Sequence, residues 1–192
     1  MRLTRKYKAI VIGTSAGGVD AFKRLIQQIG TELNLPVIVV QHLRKGTSLA
    51  GLMAEMTGLK VKEAEPGEPI LPGIIYFAPA DYHTAVEWDR TITLLSSEPI
   101  NFSRPSIDVL FESAAEVYGK ELIGVILTGS NDDGSVGLAK VKIHGGCTVV
   151  QSPDEAEYDT MPLEAINKTK PDFVGSVDEI AGFIKEKMLE SA

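Results

Sequence analysis

Residues 7–22 read YKAIVIGTSAGGVDAF, from Tyr7 to Phe22, and this stretch decides the fold. Its first half, 7–12, is a short and almost wholly apolar run, the pattern of a strand buried on both faces. A cluster of small residues follows, Gly13-Thr14-Ser15-Ala16-Gly17-Gly18. Beyond it Val19, Phe22, Leu25, Ile26 and Ile29 recur at helical spacing. Strand, glycine-rich turn and amphipathic helix together form the opening unit of a parallel α/β domain. The turn has two chemical readings. Either it cradles a phosphate at a helix N-terminus, or it presents Ser15 as a nucleophile.

The rest of the chain repeats the alternation. Segments 36–41, 74–78, 122–128 and 147–151 are short and rich in Val and Ile, and 173–177 is a weaker member of the set. Between them, Ile107, Leu110, Phe111, Ala114, Val117 and Tyr118 mark one helical face, and the C-terminal helix carries Ile180, Ile184 and Met188 behind a capping box of Ser176 and Glu179. These stripes are core packing. The stretch from Ile74 to Ser96 breaks the pattern: strands joined by turns leave no room for crossover helices, and it reads as an antiparallel extension or edge hairpin. The expected architecture is a three-layer α/β sandwich with a mainly parallel, doubly wound sheet and an antiparallel hairpin extension, one domain over residues 1–192.

Composition narrows the function classes. The chain has 192 residues and a net charge of −7, which argues against a general nucleic-acid role. Cys147 is the single cysteine, so no disulfide framework forms within the chain, and its apolar surroundings assign it to packing. No apolar stretch reaches the length of a membrane span and no secretory signal is present, so a cytoplasmic protein without direct membrane insertion is expected.

In doubly wound sheets functional groups collect where strands end. After the first strand comes Ser15, after the second His42, and after the strand at 122–128 come Asp132 and Asp133. A serine hydroxyl needs a base within hydrogen-bond reach, and the base needs an orienting acceptor. Ser15, His42 and either aspartate supply those three roles, with backbone N–H groups after Ser15 as oxyanion donors. Gly13 to Gly17 also matches G-x-S-x-G, a pattern that is weak on its own. Ser15 as a helix cap, His42 as a half-buried strand end, and Asp132 and Asp133 as turn residues are the plainer alternatives. His83, in the hairpin region, and His144, at a helix C-terminus, have no comparable setting. Arg104 reads as a pocket or carboxylate ligand, or as a surface residue beside Ser106 as N-cap. Arg44 and Lys45 read as a solvated basic turn, or as a patch that steers an acidic partner. The turn lacks the spacing of a dinucleotide fingerprint and the ending of a P-loop, and the histidines and cysteine have no metal-ligand spacing, so no cofactor or metal is expected.

The segments IGTSAGG, VVQHL, VKEAEPGEPILPGIIYFAP, RPSIDVLFESAA, GVILTGSNDDGSVGL and MPLEAI, in this order from about residue 7 to 173, resemble the catalytic domain of CheB-type chemotaxis protein-glutamate methylesterases. The resemblance implies a doubly wound α/β fold and hydrolysis of glutamyl methyl esters on the cytoplasmic portion of methyl-accepting receptors, with methanol released. It also implies deamidation of receptor glutamines in many members. Carried over by motif, Ser15 is the nucleophile, His42 the base and Asp133 the orienting acid. Two positions depart from the pattern. Ala16 stands where well-known members have threonine, and Ser130-Asn131 stands where they have Met-Gly, the methionine being associated with the oxyanion hole. These changes leave open a non-catalytic docking module on the same fold. Family enzymes also carry a receiver domain. Residues ahead of Tyr7 are too few for one, so the expectation is a catalytic domain that is constitutively open or governed by a separate response regulator or methyltransferase within a phosphorelay.

Overall fold

In the computed structural model, which describes residues 7–43, 46–100 and 103–189, seven strands form one wholly parallel sheet. They are β1 (Ala9–Thr14), β2 (Val37–Gln41), β3 (Lys60–Glu63), β4 (Ile74–Phe77), β7 (Leu122–Ile126), β8 (Cys147–Gln151) and β9 (Phe173–Gly175). Their spatial order is β3-β4-β2-β1-β7-β8-β9. The helices are α1 (Gly18–Ile29), α2 (Ala50–Thr57), α3 (Ile107–Tyr118), α4 (Ser135–Ile143), α5 (Thr160–Thr169) and α6 (Val177–Leu189).

The strand residues alternate between two cores, as a period of two requires. Ile10, Ile12, Val37 and Val39 join the cluster that contains Phe22, Leu25, Met53, Ile180 and Ile184 from α1, α2 and α6. Ala9, Val11, Ile38 and Val40 join the cluster with Leu110, Phe111, Leu138 and Ala165 from α3, α4 and α5. These are the three layers expected. Connections from β1 run outward through β2, while those from β7 run outward the other way through β8 and β9. The crevice between β1 and β7 is therefore the topological switch point, the place where such sheets bind ligands.

The mainly parallel sheet and the antiparallel hairpin expected from the sequence are both present. The sheet is parallel throughout, because residues 74–77 lie as β4 between β2 and β3. Among the strands of the described residues only β5 (His83–Val86) and β6 (Ile92–Leu95) are antiparallel, and they form a separate two-stranded sheet packed on α3, not an extension of the main one. The strand β3, sequence KVKE, carried no apolar run because it is an edge strand with partly exposed side chains. The box that starts α6 is present: Ser176 N–H donates to Glu179 Oε2 at 2.7 Å, and Glu179 N–H donates to Ser176 Oγ at 3.3 Å. Cys147 is buried in β8. Arg44 and Lys45 lie outside the described residues.

Candidate active site

Register brings the first two site residues together. Thr14 and Gln41, the last residues of β1 and β2, are paired across the ladder, so Ser15 and His42 are the next residues on two strands about 4.8 Å apart. Two bonds hold this step beyond the ladder. His42 N–H donates to Thr14 O at 3.1 Å, and the Gln41 side-chain amide donates to Ser15 O at 2.7 Å. From the other side, Ser15 N–H donates to Thr128 O at 3.0 Å, beyond the end of β7. Thr128 N–H is in turn held by Gln151 Oε1 at 2.8 Å, at the end of β8. Thr14, Gln41, Thr128 and Gln151 are buried polar groups that lock the strand ends around the serine. Sequence reasoning passed over them. Their signal is a polar residue closing an otherwise apolar run.

The turn after Ser15 is built from backbone. Gly17 has φ +74°, in the left-handed region, and begins α1 without a side-chain cap bond, so Ser15 does not cap this helix. A side chain at Gly18 would collide with Thr14 Oγ1 and Gln41 Oε1, so only glycine lets α1 start this close to the strand ends. Ser15, Ala16 and Gly17 are half-buried.

The third residue arrives from the loop after β7. Asp133 is fully buried, and its Oδ2 lies 2.8 Å from His42 Nε2. Asp132, its neighbour, is exposed, with Oδ2 3.9 Å from Lys168 Nζ. Adjacent residues thus point opposite ways, and Asp133 is the one that reaches the histidine. Its carboxylate also accepts the Ile107 N–H at 2.7 Å, the Asp108 N–H at 3.1 Å and the Ser106 hydroxyl at 2.9 Å. Burial alone would push this carboxyl up. The bond from His42 and the backbone N–H groups at the start of α3 outweigh that and hold it below the usual carboxylate range. An ionised Asp133 beside Nε2 can orient the ring and stabilise an imidazolium.

Two residues near Asp133 differ from expectation. Ser106 occupies the N-cap position of α3 but makes no cap bond, because its hydroxyl goes to Asp133. His83, set aside in the sequence, is fully buried and accepts the Ser106 N–H on Nδ1 at 3.1 Å, while its Nε2 donates to Glu98 O at 3.0 Å. It supports the site through Ser106. Arg104 donates Nη1 to Ser97 O at 2.9 Å, so among the described residues it binds backbone carbonyls and no carboxylate. His144 caps α4, with Nδ1 2.9 Å from Lys140 O, away from the site.

Ala16 directly follows Ser15 beyond β1, and Ser130 lies in the loop beyond the neighbouring strand β7. The Gly18 N–H is taken by Ser15 O and the Gly129 N–H by Tyr158 O, whereas the Ala16 and Ser130 N–H groups donate to no other described residue. Among the described residues, no group of three or more His, Cys, Asp or Glu side chains could hold a metal ion, and no helix is long and apolar enough to cross a membrane.

A family model described as CheB methylesterase matches residues 10–184. A protein of Leptospira interrogans, provisionally named protein-glutamate methylesterase/protein-glutamine glutaminase, is 48% identical over 177 residues, which are 91% of this chain and 92% of that protein. The protein-glutamate methylesterase/protein-glutamine glutaminase of Clostridium acetobutylicum is 35% identical, and the match covers 91% of this chain but 51% of that protein. Among solved structures, the crystal structure of the Thermotoga maritima CheB methylesterase catalytic domain matches with a TM-score of 0.89 and 34% identity, covering 94% of this chain and 98% of that one.

Proposed function

This chain belongs to the CheB methylesterase family, and from that premise we propose that it hydrolyses glutamyl methyl esters on methyl-accepting chemotaxis receptors, with Ser15, His42 and Asp133 as its catalytic triad. The observation that carries the residue assignment is the 2.8 Å pair of His42 and buried Asp133, one register step from Ser15. The helix start that Asp133 also caps would serve a docking module equally, but the half-buried histidine held 2.8 Å from that carboxylate is what a hydrolase needs.

In this mechanism Ser15 Oγ attacks the ester carbonyl while His42 accepts the hydroxyl proton. Asp133 stabilises the imidazolium. The Ala16 and Ser130 backbone N–H groups donate to the oxyanion of the tetrahedral intermediate, a role that the side chains at these positions do not alter. Collapse expels methanol, which takes its proton from His42, and leaves a glutamyl ester on Ser15. Water, deprotonated by His42, then attacks that ester and releases the glutamate side chain. A glutamine side chain forms the same acyl-enzyme with ammonia as the leaving group, so the glutaminase reaction named for the relatives needs no further residue. The substrate is the receptor's cytoplasmic portion, which sets the reaction in the cytoplasm.

Methanol release from a methylated receptor tests the assignment. Ser15→Ala is expected to lower turnover on the order of 10⁴-fold or more. Equal rates for the two proteins would remove Ser15 from the mechanism. Failure of a serine-directed phosphonate to label Ser15 in the wild type would favour the docking module.

A further inference from the structure

We propose that the side-chain amide of Asn131 is a positioning residue for His42, holding the ring in the tautomer whose free lone pair, on Nδ1, receives the Ser15 proton. This rests on the hydrolase reading above.

Asn131 is half-buried in the loop that carries Asp133. Its Oδ1 accepts the Asp133 N–H at 3.2 Å. An amide has its acceptor on one side and its two donors on the other, so with Oδ1 committed the NH2 group faces His42. Nδ2 lies 3.4 Å from His42 Nδ1. At the far edge of the ring, Nε2 lies 2.8 Å from Asp133 Oδ2.

The donor and acceptor inventory now fixes the protons. An ionised carboxylate only accepts, so Nε2 carries the hydrogen. An amide NH2 only donates, so Nδ1 presents its lone pair. Both partners impose the same tautomer, and they sit two residues apart on one loop that grips the ring from both edges. Nδ1 is then the basic nitrogen. In the serine-protease template the assignment is the reverse, with Nδ1 on the aspartate and Nε2 toward the serine. At 3.4 Å the Asn131 bond is long and weak, so it orients the ring yet yields Nδ1 when the serine proton arrives.

Asn131→Asp isolates the amide NH2. It keeps an oxygen for the Asp133 N–H, and with it the loop, but places an acceptor against Nδ1. That holds a proton on the base nitrogen. Asn131→Leu removes both bonds and serves if the aspartate variant does not fold. Expected are a fall in kcat of more than about 10³-fold for Asn131→Asp and of about tenfold for Asn131→Leu, each with little change in KM.

Nitrogen-15 NMR of the histidines, with His42 assigned from a His42→Gln variant, reads the tautomer without substrate. At mildly alkaline pH, where an imidazole is neutral, the wild type is expected to carry its proton on Nε2 and none on Nδ1. A proton on Nδ1, or a kcat for either folded variant equal to that of the wild type, would overturn the proposal. If the tautomer is as stated but the wild type releases no methanol, the hydrolase reading fails while the ring assignment stands.

Discussion

Asp133 does two jobs at once. It faces His42, and it accepts the first two N–H groups of α3, donors that every helix N-terminus leaves unsatisfied. That second role explains why Ser106, in the cap position, is free to give its hydroxyl to Asp133 Oδ1 instead. His83 holds Ser106 by its backbone, so the hairpin residue reaches Asp133 through one intermediary. Ser106→Ala is expected to cost about 1–3 kcal/mol of stability, since it withdraws a donor from a buried charge, and to lower kcat more than it raises KM. Urea denaturation and steady-state turnover check both. A variant as stable and as fast as the wild type would show that the hydroxyl contributes nothing. The sequence placed Ser106 correctly at the helix start. It did not give the direction of the hydroxyl, because the competing acceptor is 27 residues away.

At the scale of elements, the turn from β1 into α1 decides whether Ser15 is presented at all. Its geometry depends on glycine at 18, where the helix start passes over the side chains of Thr14 and Gln41. Gly18→Ala is expected to destabilise the fold by about 1–3 kcal/mol through overpacking. It should also slow phosphonate labelling of Ser15, because relief comes from moving the turn. Thermal melting and the labelling rate measure the two effects, and an unshifted melting point with unchanged labelling would contradict the close approach. The strand–turn–helix order was legible from periodicity alone. The helices α2 and α5 were not, and of α4 only the C-terminal end at His144 was, because Ser135–Ile143 and its neighbours are short and lack a clean stripe. In α4, Leu138 and Val141 face the core while Val136 and Ile143 are exposed apolar residues that blur the period.

Across the whole molecule, stability should carry a pH signature from two neighbouring carboxyls of opposite sign. Asp108 is buried, accepts the Gly137 N–H from α4 at 2.7 Å and packs beside Asp133. Burial, with the Asp133 charge added to it, pushes its carboxyl up to about 6 against 3.8. The native state therefore holds a proton that the unfolded chain has lost between those values. Stability contributed by this group falls as pH rises through the window, by on the order of 3 kcal/mol. Asp133 acts the other way. Its depressed carboxyl contributes stability above the ordinary carboxylate range, lost as pH falls below it. Asp108→Asn keeps an oxygen for Gly137 without the charge. Its melting temperature is expected to exceed that of the wild type at about pH 8 and to converge with it near pH 4. A variant no more stable than the wild type at the higher pH would refute the assignment.

The sequence by itself determined the layers and the kind of chemistry. Apolar runs and helical stripes are set by backbone periods of 2 and 3.6 residues, which neighbouring residues display without help from the rest of the chain. The positions of Ser15, His42 and the aspartate pair just past buried strands followed from the same local reading. Residue patterning could not choose between Asp132 and Asp133; the family resemblance named Asp133, and the fold directs it to the ring. Tertiary structure alone decided that β2, β1 and β7 stand side by side, that the hairpin is a sheet apart, and that His42 meets Asp133 through Nε2 and Asn131 through Nδ1. The physical reason is distance along the chain. His42 and Asp133 are 91 residues apart, and their bond exists only because strand order and register close that separation to 2.8 Å.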